Sequence, residues 1–245
     1  VFKHRDYRLF WIGGVISNIG RWFQTIAVPI VIYDLTGSAG WVGLAGFAQI
    51  MPMALMGPLG GAIADRYPRR KVLIVTQMLQ AVTAGAMMTM WFSGIRAPGA
   101  YVAMSVVVGL TAGLNLPAWQ AIVSDLLPRD KMLEGITLNS AQFNASRMIG
   151  PALGGIAIGA WGPGWAFFVN LVTYGAVLLA LVLMDHRSEP VQPDGRMQPL
   201  REFVAAARYA AGVRGIRTAI AAGSRVACFG LSMQTLAVTI AEDVF

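Results

Sequence analysis

Three arginines stand where a charge is costly. Arg21, Arg147 and Arg225 each lie inside a stretch of apolar residues rather than at its edge. A guanidinium stays charged and presents a planar fork of donors, so its natural partners are carboxylates and other oxyanions. Around Arg21 the sequence supplies Ser17, Asn18, Gln24 and Thr25, and in a helix that spacing puts them on one face. Thr111 and Asn115 lie one turn apart. Asn139, Gln142, Asn144 and Ser146 make a broader polar surface beside Arg147, and Ser232, Thr235 and Thr239 follow Arg225. Isolated cations among neutral hydrogen-bonding groups suit the binding of a small polar or anionic molecule. Ser17, Asn18, Arg21, Gln24, Asn115, Gln142, Arg147 and Arg225 are therefore candidate cavity residues. The sequence holds no His-Glu-x-x-His, no Gly-x-Ser-x-Gly and no pair of deep aspartates, so no enzymatic reaction is expected. His4 and His186 have no Cys or acidic cluster at ligand spacing, so no metal site and no cofactor are expected. The single cysteine, Cys228, rules out an internal disulfide.

The elements that must hold these residues are unusually apolar. Of 245 residues, 56% are hydrophobic and 13% charged, against about 25% charged in ordinary soluble domains. The apolar residues fall in blocks at 9–33, 41–64, 72–93, 100–123, 137–160, 165–184 and 216 to about 240. Spans of about 20 apolar residues cross a bilayer, and in lipid the backbone must satisfy its own hydrogen bonds, so each block is predicted to be a membrane helix. Arg21 then sits about 18 Å along its helix from Leu9. An arginine at mid-bilayer costs at least ~2.5 kcal/mol. No carboxylate lies deep in any span; Asp34, Asp65 and Asp125 sit at helix ends. Three readings of the arginines follow: acids elsewhere in the protein pair with them, backbone carbonyls and water satisfy them, or the substrate is an anion.

Charge also sets orientation. Fifteen of the nineteen Lys and Arg lie before the first block or in the connections after the second, fourth and sixth, whereas the opposite connections hold only Arg96. By the positive-inside rule the N-terminus and the basic connections are cytoplasmic. Net charge of +7 thus reflects topology and not a nucleic-acid partner. Residues 185–215 are expected to form a cytoplasmic linker. From Pro199 it reads equally as a helix lying on the membrane surface, with Leu200, Phe203, Val204 and Ala207 on one face, or as a solvated connector. The chain begins without Met and stops just past the seventh block, so further sequence is expected.

The densest charge cluster is "GAIADRYPRRK", Gly61 to Lys71. It resembles the loop 2–3 signature of the major facilitator superfamily: Gly, three residues, Asp, a basic residue, one residue, Gly or Pro, then two bases. "RMIGPALGG" from Arg147 contains the Gly-Pro-x-x-Gly-Gly core of that superfamily's antiporter motif in Gly150, Pro151, Gly154 and Gly155. The motif's earlier glycines are replaced by Thr137 and Ser146. "FKHRDYRLFW" from Phe2, "SNIGRWFQ" from Ser17 and "YDLTGSAG" from Tyr33 are similar to bacterial transmembrane secretion effectors, the subfamily that includes the enterobactin exporter.

The resemblance implies an all-α membrane protein. Residues 1–184 would be the N-terminal six-helix bundle of a twelve-helix fold and residues 216–245 the first helix of the second half. It implies a proton-driven exporter of small amphipathic molecules, of the drug or siderophore class, working by alternating access in the bacterial inner membrane. Its partners would be a small-molecule substrate, membrane lipid and the C-terminal half of the same transporter. Gly61, Asp65, Arg66, Arg69 and Arg70 would form the conformational latch between halves, with Gly61 admitting a neighbouring helix. Asp125 would join the network of Arg66 and Arg69. A metabolite importer or lipid-handling carrier of the same fold is the alternative, and a seven-helix receptor a further one.

Overall fold

The structure is a computed structural model that describes residues 1–185 and positions 208, 212, 213, 215, 217, 218 and 222. Six long helices follow in order: α1 (Arg5–Thr36), α2 (Ala39–Arg66), α3 (Arg69–Phe92), α4 (Pro98–Leu126), α5 (Met132–Trp161) and α6 (Pro163–Leu183), with a 3-10 turn at Arg129–Lys131 before α5. The linker expected over most of 185–215, the seventh helix at 216–245 and Arg225 lie outside the described residues, apart from those positions.

Local chemistry places the turns. Gly37 takes the left-handed conformation, φ 59°, and its N–H donates to the Tyr33 carbonyl to close α1. Pro98 and Pro163 occupy the first positions of α4 and α6, where the missing N–H costs nothing. The helices overrun most of the apolar blocks that define them. α1 begins at Arg5 rather than Leu9, and α5 at Met132 rather than Thr137. Helix continues into the polar interface because its hydrogen bonds are internal, whereas hydropathy marks only the lipid-facing core. Five of the described helices are long and apolar enough to cross a membrane; α5, expected as a sixth span, has the length but not the apolarity. Asn139, Gln142, Asn144, Ser146 and Arg147 are the reason.

Packing does not follow chain order. The principal contacts run α2–α4–α3–α6–α1–α5. Exchanging α1, α2 and α3 with α4, α5 and α6 leaves that path unchanged, as two structural repeats of opposite direction would. One apolar core gathers Tyr7, Phe10, Leu73, Ile122 and Leu181; a second, toward the far end of α1, gathers Val31, Ile32, Val42, Met87 and Phe167.

The closest seam is α2 against α4. A Cβ built on Gly109 would lie 2.1 Å from the Gln49 carbonyl oxygen, and one on Gly113 2.5 Å from that of Met53. Only glycine permits backbones this close, and small residues are how helices in lipid gain contact. Gly57 has open space around the same construction. Gly109→Ala is therefore expected to destabilise the protein by about 1–3 kcal/mol through overpacking, while Gly57→Ala leaves the thermal unfolding midpoint in detergent unchanged or slightly raised.

Candidate functional site

The bundle encloses a cavity of about 650 Å³. It lies toward the end where α1 and α3 start and α4 finishes, and all six helices reach it. α1 contributes Ser17, Asn18 and Arg21; α3 contributes Gln77 and Gln80; α4 contributes Asn115, Trp119 and Gln120; α5 contributes Asn139, Ser140, Phe143 and Asn144. Met53 of α2 and Tyr174 of α6 complete the wall. Among the described residues Arg21 is the one cation on it, and no carboxylate of theirs borders the space.

Neutral groups hold Arg21. Its guanidinium donates to Asn18 Oδ1, one turn back on the same helix. It also stands over the Phe143 ring of α5, 5.7 Å from the centroid, within the range where a ring quadrupole attracts a cation. Neither contact neutralises the charge. Asn115 donates to Thr76 Oγ1 at 2.8 Å, linking α4 to α3 at the cavity wall.

The cavity residues expected from sequence divide by height along the helix. Ser17, Asn18, Arg21 and Asn115 line the cavity. Gln24 shares their angular face but lies about 10 Å beyond Ser17 and nearly one turn beyond Arg21, where it accepts from Asn170 Nδ2 at 2.7 Å in the α1–α6 interface. Gln142 is behind the wall: it donates to Asn139 Oδ1 at 2.6 Å, and its other amide atom packs against Gly14. Arg147 is not buried; it lies on the exposed side of α5. Helical spacing alone does not say which side of α5 its neighbours cover. Gln77, Gln80, Trp119, Phe143 and Tyr174 were not among the expected site residues. Polar positions at Thr76, Gln77, Gln80 and Thr83 form a stripe at helical spacing that marks the inward face of α3; the aromatics carry no such mark.

The charge cluster separates into two groups. Arg69 donates to Asp125 and, at 3.1 and 3.2 Å, to the Ala121 carbonyl and Ser124 Oγ of α4. Its Nε points at the Ala64 carbonyl of α2, 3.4 Å away. One side chain thus ties three helix ends. Arg70 donates to the Leu181 and Val182 carbonyls at 2.6 and 2.8 Å, capping α6. Arg69 and Arg70 therefore fasten this bundle to itself. Arg66 does not join Asp125: among the described residues Asp65 and Arg66 make no hydrogen bond or ion pair, and Asp65 is exposed. Gly61 meets open space, and the close approach on this stretch is at the preceding Gly60, against the Gly113 carbonyl of α4. On α5, Gly150 packs on Trp22 and Gly154 on the backbone of Phe23. Gly155 faces open space and admits no backbone in this bundle.

Comparison with known proteins follows the same lines. Residues 1–241 match the family described as transmembrane secretion effector. The staphyloferrin A transporter of Staphylococcus aureus is 23% identical over 80% of this chain and 50% of its own length. The enterobactin exporter of Citrobacter koseri is 24% identical over 84% of this chain and 49% of its own. The chain thus spans about half the length of these curated relatives. Among solved structures, a peptide transporter in complex with sulfate superposes with a TM-score of 0.65 at 18% identity, covering 91% of this chain and 46% of that one; the likeness is one of fold.

Removing Arg69 takes from Asp125 its ion-pair partner at a largely buried junction. Arg69→Ala is expected to destabilise the protein by about 2–3 kcal/mol, read as a lowered unfolding midpoint. Lys71→Ala, at an exposed position whose side chain makes no hydrogen bond or ion pair among the described residues, is expected to change stability by less than about 0.5 kcal/mol.

Proposed function

This chain belongs to the transmembrane secretion effector family of the major facilitator superfamily, and from that premise we propose that it forms the first half of a secondary active exporter of small amphipathic molecules. The substrates are of the siderophore or drug class and carry negative charge. Export runs outward across the bacterial cytoplasmic membrane, with the N-terminus inside and a proton gradient as the energy source. Alternating access moves this bundle against a second one.

The observation that carries the reading is the cavity wall formed by the described residues: one cation, many neutral hydrogen-bonding groups, aromatic faces and no carboxylate. A guanidinium held by Asn18 and Phe143 keeps its full charge for an incoming anion, and low surrounding polarity strengthens that attraction. Likeness to a staphyloferrin A transporter and an enterobactin exporter supports the substrate class. The Gly-Pro core of α5, joined to α1 through Gly150 and Gly154, supports the export direction. Gly61, Asp65 and Arg66 suit a latch onto another bundle, since Gly61 faces open space and the Asp65 and Arg66 side chains make no hydrogen bond among the described residues.

Transport by the full-length protein tests the reading. Arg21→Ala is expected to weaken recognition of an anionic substrate about ten- to a hundredfold, the range for a lost hydrogen bond to a charged group. Arg21→Lys keeps the charge without the fork and retains part of it. Undiminished efflux in Arg21→Ala contradicts the proposal. Direction is read separately: inside-out vesicles should accumulate substrate when the pH gradient is imposed, and uptake by whole cells under that gradient would reverse the assignment.

A further inference from the structure

We propose that Asn18 and Gln77 make the cavity selective for anions that also bear a hydroxyl, the chemistry of a hydroxy acid. The inference rests on Arg21 as the anion-binding residue and adds a second requirement to it. Asn18 and Gln77 both border the cavity, and both are deeply buried, at 7% and 4% exposure. Each carries one stranded polar atom: Asn18 Nδ2 and Gln77 Oε1 have no hydrogen-bond partner among the described residues. Leaving a buried donor or acceptor unmade is unfavourable, and folded proteins keep few of them.

The two stranded atoms are complementary in type. Asn18 offers an N–H on the same amide that accepts from Arg21, so an oxyanion drawn to the guanidinium meets a neutral donor beside it. Gln77 offers a carbonyl oxygen from α3, which calls for an O–H or N–H. A simple carboxylate serves the first and leaves the second empty; a hydroxy acid serves both. In this conformation neighbouring side chains cover the two atoms. The terminal amide torsions are soft, so a ligand in the cavity can draw each amide round without moving a helix. Two neighbouring polar groups are not available to the same ligand. Thr76 is occupied by Asn115, and the stranded oxygen of Gln142 lies against Gly14, off the cavity wall. Trp119 and Phe143 supply faces for a flat apolar body on the same ligand.

Mandelate and phenylacetate differ by one hydroxyl and share an aromatic ring and a carboxylate. Their binding to the full-length protein in detergent is measured by titration calorimetry. The parent protein is expected to bind mandelate about tenfold more tightly, the worth of one neutral hydrogen bond at the upper end of its range. Gln77→Met is expected to erase the preference while phenylacetate affinity stays within about twofold; Arg21→Ala is expected to weaken both acids. Equal affinity of the parent protein for the two acids overturns the inference, and so does a preference that survives in Gln77→Met. The first comparison needs no variant, so a misfolded Gln77→Met does not shield the claim. If Arg21→Ala weakens both acids but the parent shows no hydroxyl preference, selectivity by Gln77 fails alone. If Arg21→Ala changes neither affinity, the anion reading fails with it.

Discussion

A polar group inside a bilayer must find its partner within the protein, because lipid offers none. That constraint shapes every level of this chain. It makes the backbone helical, since each helix closes its own N–H and C=O groups. It turns the side chains of Asn115, Thr76, Gln24 and Asn170 toward one another across helix seams. It also accounts for Arg21, whose charge is too costly to face lipid and which the bundle holds at a cavity with an amide and an aromatic ring. The guanidinium is anchored in place, yet among the described residues no acid on the cavity wall cancels its charge.

Holding such a site steady requires a bundle that does not breathe. Two devices supply this. Glycines bring α4 onto α2 at Gly109 and Gly113, and α5 onto α1 at Gly150 and Gly154, at related places in the two three-helix repeats. At the basic end, Arg69 ties α3 to α2 and α4, while Arg70 grips the last carbonyls of α6. Tyr7 and Trp11 of α1 donate to the Gly135 and Leu138 carbonyls of α5 at 2.9 and 3.1 Å. The first of these bonds lies where the helices overrun the apolar blocks, the second just inside them. The bundle is therefore built to move as one body, which alternating access by two bundles would require.

Much of this was legible from residue order. The helices follow from apolar blocks, and Gly37, Pro98 and Pro163 stand where helices end or begin. Ser17, Asn18, Arg21 and Asn115 are found at the cavity that their polar type in an apolar span implies. What sequence could not supply is a third dimension. Angle around a helix places Gln24 with Asn18; only the neighbour at its own height, Asn170, explains why it is spent in packing. Arg147 shows the same limit, because its exposure depends on which flank of α5 meets α1. Within the basic cluster, five charged residues of one type of signature serve different ends. Arg69 and Arg70 find carbonyls and an acid across the bundle, whereas Asp65 and Arg66 find none among the described residues. Local spacing carries no information about such distant partners.

The central claim is that one polar, water-reachable face gathers around Arg21 while the opposite faces meet lipid. Single-cysteine labelling tests it most directly, with Cys228 replaced and a membrane-impermeant maleimide applied to the full-length protein in inside-out vesicles. Ser140→Cys and Ala112→Cys, on the cavity wall, should label readily. Val82→Cys, at a position 68% exposed on the outside of α3, should stay unreacted because lipid covers it. Labelling at Val82 with protection at Ser140 and Ala112 would contradict the account.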